Sequence, residues 1–118
     1  MRIVLLSSDL MLFSSAQGAA DRHDVQLIAA GNADAAVNAC GEPEAQMLAI
    51  DLRLPGLDVG SVVAAVRGSR AAAIHILACG PHVHERSLAA AVAAGCDEVV
   101  TRGEFDRRLD AAVAKLST

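Results

Sequence analysis

Asp51 closes the apolar run Met47-Leu48-Ala49-Ile50 and opens the segment Asp51-Leu52-Arg53-Leu54-Pro55-Gly56-Leu57-Asp58. A continuous apolar run bounded by turn residues reads as a strand buried on both faces. A carboxylate on its last residue stands where a parallel sheet opens to solvent. Ligands of open α/β sheets bind in the crevice beyond those carboxyl ends. Other reactive side chains also follow strand ends. Asp9 lies just past a first apolar run with Ser7 and Ser8 beside it, and Arg102 follows a last one. If these strands are neighbours, one rim carries two carboxylates, two hydroxyls and a guanidinium. Such a set can hold a divalent cation or a phosphoryl group.

Two other constellations are weaker. Cys79-Gly80-Pro81-His82-Val83-His84 offers up to three zinc ligands, whereas a closed structural site needs four. Solvated loop histidines, with His82 near a helix start, are the simpler account. His75 falls in a strand without a visible catalytic partner. The sequence holds no Gly-x-Gly-x-x-Gly, P-loop or nucleophile elbow, so dinucleotide binding, NTP hydrolysis and Ser-His-Asp hydrolysis lack support. A non-enzymatic protein is expected.

The elements that must position these residues alternate strand and helix five times. Strands are expected over Arg2 to Ser7, Asp24 to Ala30, Gln46 to Asp51, Ala73 to Cys79 and Asp97 to Thr101. Helices are expected over Leu10 to Ala20, Ala33 to Cys40, the Val59, Val62, Val63, Val66 repeat, Val83 to Ala94, and Glu104 to Lys115. Asn32 and Asp58 are N-cap types ahead of the second and third helices, and Gly95 suits the C-cap of the fourth. Strict alternation predicts a parallel sheet with helices on both faces. No linker, repeat or second domain is visible, so residues 1–118 read as one domain.

The 118 residues are 53% apolar, with two Phe and no Tyr or Trp, so Ala and Val must fill the core. The net charge is -4. No basic run or aromatic platform is present, which argues against a nucleic-acid partner. The opening apolar run is too short for a signal peptide and Leu88 to Ala94 too short to span a bilayer; a cytoplasmic protein with no membrane partner is expected. Cys40, Cys79 and Cys96 are odd in number and widely spaced, which fits reduced thiols.

The segment Asp51 to Asp58 is similar to the Asp-x-x-x-Pro-x-x-Asp-Gly loop of response-regulator receiver domains. Ala93-Ala94-Gly95-Cys96-Asp97-Glu98-Val99-Val100 is similar to their Ala-Gly-Ala-x-x-aromatic stretch. The whole chain resembles a stand-alone, CheY-like receiver. That resemblance implies a flavodoxin-like (βα)5 fold with strand order 2-1-3-4-5. It also implies phosphorelay signalling, in which Asp51 takes a phosphoryl group from a kinase phosphohistidine while Mg²⁺ and a Lys neutralise its charge.

Departures from the family pattern imply an atypical receiver. Ungapped, Ser7-Ser8 replace the family's acid pair, and Ser8-Asp9 would recover one acid. A weak Mg²⁺ site of Asp9, Asp51 and the Arg53 carbonyl is expected. Arg102 stands for the family's Lys and Gly103 for its Pro. Ala78 stands for the hydroxyl residue of strand four, and Val99 for the aromatic residue of strand five; both switch parts are missing. The resemblance implies protein partners, a histidine kinase or an output protein, on the helix 4–strand 5–helix 5 face, which also serves homodimers. The expected role is protein recognition with phosphorylation at Asp51 compromised. The rivals are a working Mg²⁺-dependent phosphoacceptor and a small-ligand or metal-binding flavodoxin-like domain. Flavin is the weakest form of the last, because no aromatic residue can stack on its ring.

Overall fold

A computed structural model describes residues 1–69 and 71–117. Five parallel strands, β1 (Arg2–Leu6), β2 (Gln26–Ala30), β3 (Ala45–Asp51), β4 (His75–Gly80) and β5 (Glu98–Thr101), pair in the order β2-β1-β3-β4-β5. Helices α1 (Leu10–Arg22), α2 (Ala33–Cys40), α3 (Val59–Arg67), α4 (Glu85–Ala94) and α5 (Phe105–Leu116) connect or follow them. This is the expected flavodoxin-like (βα)5 architecture.

The alternation of side chains along each strand splits the core into two layers. Ile3, Leu5, Met47, Ala49, Leu77 and Cys79 meet α1 and α5. Val4, Leu6, Leu48, Ile50, Ile76 and Ala78 meet α2, α3 and α4. Both faces of the central strands are covered, which is why their sequences run apolar without a break.

The caps act as their residue types suggest. Asn32 Oδ1 accepts from the Ala35 N–H at 2.9 Å and Asp58 Oδ1 from the Ser61 N–H at 3.2 Å. Gly95 closes α4 at φ 96, in the left-handed region that favours glycine. Several boundaries differ from expectation. α1 continues to Arg22, and Asp24 takes a φ of 54 that a strand cannot carry, so β2 starts at Gln26. Residues 81–84 form a turn, the His84 N–H donating to the Pro81 carbonyl at 2.9 Å, so α4 begins two residues late. Asp97 stays outside β5 because its N–H donates to the Ile76 carbonyl and its carboxylate accepts the Ile76 N–H at 2.7 Å.

An ionic cluster fastens the sheet end opposite Asp51. His75 Nε2 lies 2.7 Å from Glu98, which also accepts from Arg108, while Asp97 accepts from Arg67 at 2.8 Å. Partial burial opposes ionisation of Asp97 and Glu98. The hydrogen bonds and ion pairs outweigh it, and both carboxyls lie below their usual range. His75, without a partner in the sequence, is thus a joint between β4, β5 and α5.

Candidate functional site

β3 is the central strand, and Asp51 is its last residue. β1 pairs Leu6 with Ile50, which brings Ser7 level with Asp51. Asp51 is 6% exposed, the one buried charged or polar residue among those described. Its carboxylate is held on both oxygens. Ser7 Oγ donates to Oδ2 at 2.7 Å and the Arg53 N–H donates to Oδ1 at 2.9 Å. The Asp9 N–H in turn donates to Ser7 Oγ at 3.0 Å. No buried side-chain polar atom among the described residues lacks a partner, as buried polar groups require.

The other predicted site residues are placed differently. Asp9 is the N-cap of α1, and its Oδ1 accepts from the Met11 N–H at 2.8 Å and the Leu12 N–H at 3.4 Å. Arg102 opens a 3-10 turn, Arg102–Glu104, ahead of α5. Its guanidinium lies 5.7 Å from the Phe105 ring centroid and 3.8 Å from Asp106, and no hydrogen bond or ion pair joins it to Asp51 among the described residues. The charges still share one end of the sheet. Burial pushes the Cys79 thiol up to about 12, with Asp51 and Asp9 adding to the rise and Arg102 opposing it. Cys79 pairs with Asp51 across β3 and β4.

The end of β4 differs by one residue from expectation. β4 ends at Gly80 rather than Cys79. Ala78 pairs with Ile50 and is fully buried one layer below the rim. By the period of two, Gly80 is the residue that reaches the rim on the same face. Neither Ala78 nor Gly80 carries a hydroxyl, so the end of β4 offers none on this face. Leu52 sits against it, with Cβ 3.3 Å from where a Gly80 side chain would begin. Val99 is half-buried on the α4 side, paired with Ala78.

These donors do not fit a tight magnesium cage. One carboxylate is already bonded on both oxygens, the second caps a helix, and a hydroxyl stands between them. Among the described residues, no group of three or more His, Cys, Asp or Glu side chains converges on a point, which also removes the Cys79, His82, His84 zinc constellation. All three cysteines are free thiols. A cleft of about 320 Å³ lies beside the rim, between α2 and α3, lined by Val37, Leu54, Leu57 and Asp58 among others. Leu10 and Met11 open α1 from the same rim, 83% and 74% exposed.

The Ser7–Asp51 bond, the cap role of Asp9 and the rim position of Gly80 escaped sequence reasoning. Only the second had a signal, an Asp immediately before the first periodic apolar residue of a helix.

No sequence family and no curated protein matches the chain. Solved structures do. The receiver domain of a sensor histidine kinase from Pseudomonas aeruginosa PAO1, solved with magnesium in its active-site cleft, is 16% identical with a TM-score of 0.77, covering 96% of this chain and 97% of that one. A CheY-like receiver domain protein from Methanospirillum hungatei JF-1 is 13% identical with a TM-score of 0.78, covering 98% and 92%. The structure of the Saccharomyces cerevisiae histidine phosphotransfer protein Ypd1 with the receiver domain of its response regulator Ssk1 matches at 16% identity and a TM-score of 0.77, covering 100% and 92%. With the strand order and the place of Asp51, these likenesses establish that the chain has the fold of response-regulator receiver domains.

Proposed function

We propose that this chain is an atypical receiver domain of two-component-type signalling that acts mainly by protein–protein recognition, with phosphorylation at Asp51 compromised. The observation that carries this reading is the pocket itself. Asp51 keeps the acceptor's position at the end of the central strand, but a serine hydroxyl faces it at 2.7 Å and Gly80 ends the neighbouring strand. Magnesium is held weakly, because only one carboxylate faces the pocket. No catalytic turnover is assigned.

A phosphoryl group shifts a receiver between states only through contacts that differ between them. Ala78 and Gly80 have no hydroxyl to follow the group, and Val99 has no ring to turn inward. Recognition is supported by apolar side chains left in solvent: Leu10 and Met11 beside Asp51, Val83 before α4 at 68% exposure and Val92 on α4 at 65%. The chemistry suits a histidine kinase or phosphotransfer protein at the Asp51 rim, and an output protein or a second copy on the α4–β5–α5 face.

Amide shifts on α4, β5 and α5 test this reading when beryllofluoride is added in excess Mg²⁺. We expect Mg²⁺ alone to give no saturation in the millimolar range, beryllofluoride to leave these elements unmoved, and Asp51→Asn to leave partner affinity unchanged. A large Asp51-dependent shift on α4 or α5 would restore the phospho-switch.

A further inference from the structure

We propose that the phosphoryl acceptor of this pocket is the Ser7 hydroxyl, with Asp51 as its general base, so that the stable product is a phosphoserine ester. The inference rests on reading this rim as one that meets phosphodonors. Its basis is the direction of one hydrogen bond. Ser7 Oγ donates to Asp51 Oδ2 at 2.7 Å, within the 2.6–3.2 Å reach required between a nucleophile and its base.

The neighbouring bonds set the roles further. The Asp9 N–H donates to Ser7 Oγ at 3.0 Å and fixes its orientation, while the Arg53 N–H holds the far oxygen of Asp51 at 2.9 Å. As a nucleophile itself, Asp51 is handicapped, since both of its oxygens already accept a proton donor. The same Ser7 bond makes Oγ more nucleophilic. Ser7 is half-buried and Asp51 is 6% exposed, so an incoming phosphorus has readier access to the hydroxyl than to the carboxylate.

The step balances with an acyl phosphate as donor. The Ser7 Oγ–P bond forms as the donor's bridging P–O bond breaks, and that electron pair leaves with the carboxylate product. The hydroxyl proton passes to Asp51 Oδ2 and then to solvent. Protonation removes the negative charge nearest the incoming group as it arrives. Arg102, which follows β5 at this end of the sheet, carries a guanidinium of the kind that binds phosphate oxygens, and it must leave Phe105 and Asp106 to reach them.

The test incubates the full chain with acetyl phosphate, with and without Mg²⁺. Intact-mass spectrometry follows before and after hydroxylamine, with fragmentation to locate the adduct. Hydroxylamine cleaves an aspartyl phosphate and spares a serine ester. The expected adduct resists hydroxylamine, maps to Ser7, is absent from Ser7→Ala and is retained in Ser7→Thr. Asp51→Asn should slow its formation by about 10²–10⁴-fold, the usual worth of a general base, without moving it from Ser7. Far-UV circular dichroism confirms that each variant is folded. A labile adduct that persists in Ser7→Ala would overturn the inference and return the acceptor role to Asp51. An unmodified wild-type chain would also overturn it, leaving the recognition reading to be judged by the α4–α5 shifts alone.

Discussion

Phe105→Ala is expected to lower the unfolding free energy by about 3–5 kcal/mol, the usual cost of deleting a fully buried aromatic ring. Phe105 is completely buried and is among the largest of the fully buried side chains. It packs in the layer that joins Ile3, Leu5, Met47, Ala49 and Leu77 to α1 and α5. That layer also contains Ala16, Ala19, Ala20 and Ala112, whose short side chains cannot swing in to fill the space. A domain of this kind has about 5–15 kcal/mol in total, so this one truncation removes a large share. Arg102 loses the ring beneath it as well, a smaller loss of about 0.5–1 kcal/mol at an exposed site. Urea unfolding followed by far-UV circular dichroism measures the effect, since the chain has no Trp or Tyr to report fluorescence. A loss below about 1.5 kcal/mol would show that α5 docks without the ring.

Gly80→Thr is expected to destabilise the protein by about 1–3 kcal/mol, the range for forcing atoms into a packed site. The substitution would put a hydroxyl at the end of β4. Its Cβ would lie 3.3 Å from Leu52 Cβ, 3.4 Å from Leu52 Cδ1 and 3.7 Å from Leu88 Cδ2, so Leu52 must move. Pairing it with Leu52→Ala should recover part of the loss, because the two changes share one space and are not additive. The double-mutant cycle in urea reads that coupling. A neutral Gly80→Thr would mean that Leu52 yields freely.

The fold was legible in the sequence because each buried strand is a short apolar run and each helix carries its own stripe and cap residues. The Met47 to Ile50 run and the Val59 to Val66 repeat are of this kind. The end of β4 was misread because Gly80-Pro81 looks like a break. Gly80 is the last paired residue, opposite Thr101, and the turn starts only after it. The site was less legible. Asp51 could be placed from sequence because one strand determines its position. The Ser7–Asp51 bond depends on the register of β1 against β3, across a sequence separation of 44 residues, and no local pattern encodes that. Asp9 carried two meanings, rim acid and helix cap, and the free N–H groups of α1 decided between them. Arg102 lies over Phe105 because a 3-10 turn stacks side chains three residues apart on one side.

α4 is the least anchored of the helices. Ala91 is its one buried residue, and its N-cap His84 makes no side-chain bond. An element with so few buried contacts opens locally at a fraction of the global unfolding cost. Amide exchange along α4 should therefore run well ahead of exchange in β1, β3 and β4, and equal protection would contradict this. Ordering a fluctuating segment has an entropic cost, which falls on whatever binds it. A partner that grips α4 must hold the helix closed, so its affinity carries the cost of closing it.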